Sequence, residues 1–313
     1  ENPKRVVFAE GEEEDMIRAA VIFYNNKMGT PILIGREEII KDKMKEIGLE
    51  FFDQMEIHNT RDKAAHTRYA DHIYDRLQRK GFLKEDCLDL LIKERNVFGA
   101  CMVSLKEADA MICGLNRSYA VTLESVEYVL DPIPNKRILG LTVMICNGRT
   151  IFFADTNVHD MPNGAELADI TEQSAKVVRE IFSIEPRAAL LSYSNFGKPF
   201  TERSAYIRDA IKILNNRDLD FEYDGEMAAN VALNENLLAL YPFCKLSEPA
   251  NLLIMPAIHS ASISTKLLQE LGGGDLVGPY LVGFNESVQI APLSASVADM
   301  VNLAALACFK QLN

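Results

Sequence analysis

Ser192-Tyr193-Ser194-Asn195-Phe196-Gly197-Lys198 places hydroxyls, an amide and a cation directly after the apolar run Ala188 to Leu191. Backbone N–H groups in such a turn, a serine hydroxyl and the start of a following helix are groups that hold phosphate, and Lys198 adds charge. An ordinary strand-to-helix turn is the other reading. A second polar stop, Ala154-Asp155-Thr156, follows Ile151-Phe152-Phe153. A third turn, Gly114-Leu115-Asn116-Arg117-Ser118-Tyr119, carries a guanidinium able to clamp phosphate bidentately. A surface arginine is its plain alternative. Gly272-Gly273-Gly274 reads as a helix C-cap and loop rather than a phosphate loop. Neither GxGxxG nor GxxxxGK[ST] occurs, so nucleotide binding by those loops has no support. The five histidines are scattered: His159 stands beside Asp160, and His259 closes a strand end, where a place in a site is open to it. Neither has a partner at metal-ligand spacing.

These residues need elements to position them. Apolar run, turn and amphipathic stretch alternate from 150 to 197 as strand, helix (165–182) and strand, a βαβ unit. Ligands of open α/β sheets bind at the carboxyl ends of the strands, where both polar stops fall. Upstream, strands are expected at 5–9, 31–34, 55–57 and 108–113, and helices at 12–25, 37–47, 64–80, 83–94 and 121–130. Asp131-Pro132-Ile133-Pro134-Asn135 is the clearest breaker, with the domain crossing just after it. Downstream, strands at 140–146 and 151–154 form a hairpin through Asn147-Gly148. A helix at 201–214 and strands at 221–223, 252–255, 280–282 and 288–290 come next, with helices at 263–271 and 298–309.

The chain has 313 residues, room for two cores, and an apolar content of 48%, ordinary for a globular protein. A net charge of −12 argues against nucleic acid and anionic membranes as partners. It leaves room for a small anion, which needs only a local cluster of donors. No apolar run approaches the length of a membrane span and no signal-peptide pattern is present, so a cytoplasmic location is expected. The six cysteines lack CxxC spacing and read as buried small residues in a reducing compartment. The chain starts at Glu1, the form of a domain cut from a longer chain. Processing, or the choice of an expressed fragment, would give the same start.

Ordered motifs along nearly the whole chain resemble a known family. ADTNV, AELADI and EPRAALLSYSNFG are joined by FGACMVSLKEADAMICG (98–114), DGEM (224–227), ANLLIMPAIHSASISTKLLQELGG (250–273), GPYLVGFNESV (278–288) and SVADMVNLAALA (296–307). Together they are similar to the phosphotransacetylases (phosphate acetyl/butyryltransferases). The opening NPKRVVFAEGEEEDMIRAA and the variant GLNRSYAVTLE are most like the phosphotransacetylase-like C-terminal domain of bacterial multidomain NADP-dependent malic enzymes.

The resemblance implies two α/β domains with mostly parallel sheets and a cleft, 1–138 plus 289–313 and 139–288, the final helix returning to the first. It implies acetyl-CoA as ligand, held by Asn116, Arg117, Ser118, Tyr193, Ser194, Asn195, Gly197, Lys198, Asn285, Ser294, Ala295 and Asp299. Active members carry Ser-Arg-Gly-Cys-Ser-x-Asp-Asp where this chain has Ala291 to Asp299. Asp299 is kept, but the Arg position holds Leu293 and the preceding Ser position holds Pro292. A second family Arg aligns with Glu124 and a third with Leu77, Arg76 lying one residue off register. Arg117 and Tyr119 stand at the family's His and second hydroxyl positions. Loss of charge-stabilising donors costs on the order of a hundredfold or more in rate each.

The expected function is therefore a non-catalytic, regulatory acetyl-CoA-binding domain of a malic enzyme. NADP and a divalent metal would belong only to the malic enzyme portion, itself a partner, and no cofactor or metal is expected within this domain. The alternatives are an active phosphate acetyltransferase and a structural oligomerisation domain. A homodimer or higher homo-oligomer is implied by the family's pairing through its second domain.

Overall fold

The computed structural model describes residues 3–49, 55–200 and 204–309, with only the backbone of 63–65. Along the chain come β1 (Arg5–Phe8), α1 (Glu14–Asn25), β2 (Thr30–Ile34), α2 (Glu37–Glu46), β3 (Glu56–His58), α3 (Lys63–Leu77), α4 (Lys84–Lys93), α5 (Arg95–Ser104), β4 (Ala110–Cys113) and α6 (Tyr119–Glu127). Next are β5 (Leu139–Cys146), β6 (Arg149–Ala154), α7 (Gly164–Phe182), β7 (Arg187–Leu191), α8 (Ala205–Asn215), β8 (Glu222–Met227), α9 (Ala229–Leu233) and α10 (Glu235–Leu238). Last are β9 (Leu252–Ile254), α11 (Ile258–Leu271), β10 (Asp275–Val282), β11 (Ser287–Ile290) and α12 (Val297–Ala307).

The chain divides into two compact units, Glu1–Ile133 with Phe284–Gln311, and Pro134–Gly283. These boundaries lie a few residues before 138 and 288. A break after 288 would cut β11, whose whole length from Ser287 to Ile290 pairs with β4 in the first unit.

The first unit holds a parallel sheet in the order β11-β4-β1-β2-β3. β1, β2, β4 and β11 are buried along nearly their whole length, hence the apolar runs VVF in β1 and AMIC in β4, while the edge strand β3 is half-buried. Val6 and Phe8 face a core shared with α1 and α12. On the other face α5 lies so close that a Cβ on Gly99 would meet Met111 Sδ at 2.6 Å and Val7 Cγ1 at 3.1 Å. Residues 96–103 of α5 are all buried. A helix buried all round has no polar face, so it shows no amphipathic period. That is why no helix is expected there from the pattern.

The second unit holds a mixed sheet in the order β10-β5-β6-β9-β7-β8. The β5–β6 hairpin is antiparallel and turns through Asn147 and Gly148, both at positive φ, as a primed turn requires. β6, β9, β7 and β8 are parallel. β9 inserts between β6 and β7, so the strands of the βαβ unit flank it rather than pair with each other. α7 begins at a reciprocal cap: Asn163 Oδ1 accepts from Glu166 N at 3.0 Å, and Glu166 Oε2 accepts from Asn163 N at 2.8 Å.

Elsewhere the pattern misses the short helices α9 and α10, and several lengths. β8 runs to Met227, β10 starts at Asp275, and α11 starts at Ile258. The expected helix start at 201 lies outside the described residues. α11 ends at Leu271 with Gly272 as C-cap, so the glycine run is a helix exit.

Candidate functional site

Each unit gathers its polar groups at the carboxyl ends of its parallel strands. In the first unit, β1 and β4 are neighbours from which the chain departs in opposite directions across the sheet, and such a reversal is the usual ligand position of open α/β sheets. β4 ends at Gly114, which has φ 113° and whose missing Cβ leaves room for Ala291 O. β11 ends alongside, Ala291 N donating to Cys113 O at 2.7 Å. The turns carrying Asn116, Arg117 and Ser118 and those carrying Ser294, Ala295 and Asp299 therefore leave one sheet end together. Asn285 does not join them. It precedes β11 at the opposite, amino end, where its N–H donates to Asp131 O at 3.0 Å and its amide to Pro132 O at 3.4 Å.

Acids from β1 engage this end. Glu10 is buried at 4% exposure, and its Oε1 accepts from Gly114 N at 3.0 Å. Among the described residues its Oε2 has no hydrogen-bond partner. Burial pushes the Glu10 carboxyl up to about 7, against the Gly114 bond and the Arg95 charge. Glu12 takes Arg36 at 3.0 Å and Arg95 at 2.7 Å, and chiefly the Arg36 bonds hold it down to about 2. Asn116 donates to Glu13 at 3.1 Å, and Arg117 pairs with Glu94 at 2.9 Å. Glu10, Glu13, Glu94 and Arg95 were missed by sequence reasoning. The only signal was Glu10 directly after a buried strand.

The residues that the resemblance sets at family arginine positions have other tasks. Leu77 is a core side chain at 1% exposure. Its neighbour Arg76 makes a bidentate pair with Asp131, both bonds at 2.7 Å. Glu124 accepts from the Tyr128 hydroxyl at 2.9 Å. Leu293 is 61% exposed. Asp299 is the third residue of α12 and caps it: Oδ2 accepts from Ser296 N at 2.8 Å and Ser296 Oγ at 2.7 Å, while Asp299 N donates back at 3.2 Å.

In the second unit, β7 and β9 end beside a cavity of about 500 Å³. Ser192, Tyr193, Tyr206, Ser260 and Ser264 bring hydroxyls to it, and Leu191, Ile207 and Met255 make its apolar wall. Among the described residues no lining side chain is charged, so this wall of the cavity suits an uncharged part of a ligand. Tyr206 donates to Pro256 O at 3.2 Å.

The turn after β7 differs from the expected phosphate cradle. Asn195 N and Lys198 N close the turn on each other's carbonyls, and Phe196 N and Gly197 N donate to Glu226 at 2.7 and 3.1 Å. The Ser194 hydroxyl is buried and also donates to Glu226, at 2.7 Å. What the turn offers outward is Tyr193, 63% exposed, and the Lys198 side chain. An amide already bonded inside the protein has nothing left for a phosphate oxygen.

Asp155 accepts from the amides of Gly140, Asn157 and His159 and lies 2.7 Å from His159 Nδ1. This cluster organises its own loop. His259 is exposed, 3.6 Å from Asp160. Among the described residues no group of three His, Cys, Asp or Glu could hold a metal ion. No helix of the described residues is long and apolar enough to cross a membrane. The cysteines are free, Cys87, Cys101 and Cys113 buried and Cys146, Cys244 and Cys308 partly so.

A sequence model described as phosphate acetyl/butaryl transferase matches residues 1–308. The chain belongs to that family. It is 50% identical over 308 residues to the NADP-dependent malic enzyme of Rhizobium meliloti (strain 1021), a match covering 98% of this chain and 40% of that protein. It thus spans about two fifths of the length of that malic enzyme and corresponds to its phosphotransacetylase-like part. The phosphate acetyltransferase of Bacillus subtilis (strain 168) is 27% identical over 98% of this chain and 95% of its own length. A crystal structure of a phosphotransacetylase from Streptococcus pyogenes superposes with a TM-score of 0.89 at 28% identity, covering 97% of this chain and 94% of that one.

Proposed function

We propose that this chain is a regulatory domain of an NADP-dependent malic enzyme that binds acetyl-CoA and does not turn it over. The observation that carries this reading is the state of the carboxyl end of the first unit's sheet. Asp299, the acid retained from the active pattern, is engaged in a helix cap. Leu293 is uncharged, and Arg117 is neutralised by Glu94. Among the described residues the cations at this end are each engaged by a carboxylate, Arg36 and Arg95 by Glu12 and Arg117 by Glu94. A cation so engaged is less available to stabilise a phosphoryl anion, usually the largest contribution to rate. The neutral, hydroxyl-lined cavity supports binding of the uncharged portion of acetyl-CoA, with Lys198 exposed nearby along the chain for its phosphates.

Malate decarboxylation, NADP and a divalent metal belong in this reading to the remainder of a longer chain, and the whole acts in the cytoplasm. Self-association is supported by α11, which leaves Ile263, Leu267, Leu268 and Leu271 exposed. The first, second and fourth recur at i, i+4 and i+8, one stripe along the helix. A second copy of the chain is the proposed partner there.

A second reading, an active phosphate acetyltransferase, draws support from the end-to-end match to the Bacillus enzyme. Calorimetry with acetyl-CoA, run beside an assay for acetyl phosphate from acetyl-CoA and phosphate, separates the two. Binding without turnover is expected. A turnover number of about 10 per second, ordinary for an enzyme, would overturn the regulatory reading.

A further inference from the structure

Glu226 of β8 is fully buried. A buried carboxylate is stable only when its oxygens are matched. Its Oε1 accepts from Ser194 Oγ at 2.7 Å, Gly197 N at 3.1 Å and Arg208 Nη1 at 3.0 Å. Its Oε2 lies 2.9 Å from the same guanidinium nitrogen, and its main-chain carbonyl accepts from Phe196 N at 2.7 Å. Asn195, the remaining residue of the 194–197 segment, accepts at Oδ1 from Ala228 N at 2.8 Å, two residues past Glu226. The turn is already closed by the reciprocal Asn195–Lys198 backbone bonds. The bonds to β8 therefore do not make the turn. They set where it stands over the end of β7, and so where Ser192 and Tyr193 border the cavity.

We propose that Glu226, with Arg208 as its counter-charge, is the positioning residue of the ligand site in the second unit. The proposal rests on the acetyl-CoA reading above. Glu226 has no exposed surface with which to meet a ligand. It acts through the turn: three donors converge on one carboxylate oxygen, and the charge keeps all three aimed at it. Arg208 is fixed in turn, donating to Ser204 Oγ at 2.8 Å and stacking 4.3 Å from the centre of the Phe200 ring. Charge-assisted bonds are the stronger kind, and removing one member of a buried pair leaves the other uncompensated.

The test is Glu226→Gln. It keeps size and one acceptor but removes the charge and turns N–H groups toward Arg208. Acetyl-CoA affinity is read by calorimetry, and hydrogen exchange is read on peptides spanning 193–200 and 187–191. The expected result is affinity at least about tenfold weaker, with faster exchange in 193–200 and unchanged protection in 187–191. Arg208→Lys, which keeps the charge, is expected to lose less than Glu226→Gln. Should Glu226→Gln fail to fold, Ser194→Ala removes a single bond to Glu226 and is expected to weaken binding about threefold with the same local exchange.

Parent-like affinity in Glu226→Gln, or in Ser194→Ala where that variant is used, overturns the proposal. So does exchange that rises equally in both peptides, the mark of a merely structural residue. If the parent itself does not bind acetyl-CoA, the function reading falls. The exchange then decides whether Glu226 sets the turn, unchanged protection in 193–200 overturning that as well.

Discussion

Glu10→Gln is expected to flatten the dependence of stability on pH. Glu10 is buried at the end of β1, and burial moves its carboxyl from the ordinary 4.5 to about 7. Between those values the folded chain keeps a proton that the unfolded chain has released. The folded state then binds more protons, so stability falls as pH rises through this window and levels off above about pH 7. At 1.36 kcal/mol per pH unit, the shift corresponds to about 3 kcal/mol. Glutamine fills the same space, offers Gly114 N an acceptor and does not titrate. Other titrating groups are common to both proteins, so the difference between variant and parent isolates Glu10. Urea unfolding of both chains at pH 5, 6, 7 and 8, followed by circular dichroism, measures it. The variant should gain about 3 kcal/mol relative to the parent between pH 5 and pH 8. A difference that stays constant over that range would show that Glu10 is ionised when folded, and the account of its burial would be wrong.

Asp299→Ala should cost about 1 kcal/mol through loss of the α12 cap while leaving acetyl-CoA affinity within about twofold, as thermal unfolding and calorimetry would show. Arg117→Ala is expected to weaken acetyl-CoA binding more than Asp299→Asn does, by up to about tenfold, since it removes a cation and leaves Glu94 unpaired. The opposite order in titrations of the two variants would remove Arg117 from the ligand set. On the proposed self-association the parent should scatter light as a dimer or larger at micromolar concentration, and Leu267→Glu, in the middle of the exposed α11 stripe, should scatter as a monomer without a lower melting temperature.

Much of the architecture was legible because periodicity and turn chemistry are local. Asn147-Gly148 marked the hairpin, and the amphipathic stretch 165–182 marked α7 to within a residue of its start at Gly164. α5 was not legible, because a helix sunk among Met111, Val7 and neighbouring helices needs no polar face and Gly99 is chosen for closeness to a sheet. β9 was expected as a strand, but its insertion between β6 and β7 depends on a pairing more than sixty residues distant.

The site divides along the same line. Residue types and order alone placed the chain in its family and put hydroxyls, amides and Arg117 at strand ends, since a strand end is marked locally by polar residues succeeding an apolar run. The resemblance also set Leu293, Glu124 and Leu77 at the positions expected to carry cations in active members. Tertiary structure alone decided which of these groups remain available. It joined the amides of 196 and 197 to Glu226, gave Arg117 to Glu94, set Asp299 to cap its own helix and put Asn285 at the amino end of β11, apart from Asn116 and Ser294. A sequence lists donors and acceptors, but a hydrogen bond is a matter of distance and direction, and only the folded chain brings Glu226 within 2.7 Å of Ser194 across thirty-two residues.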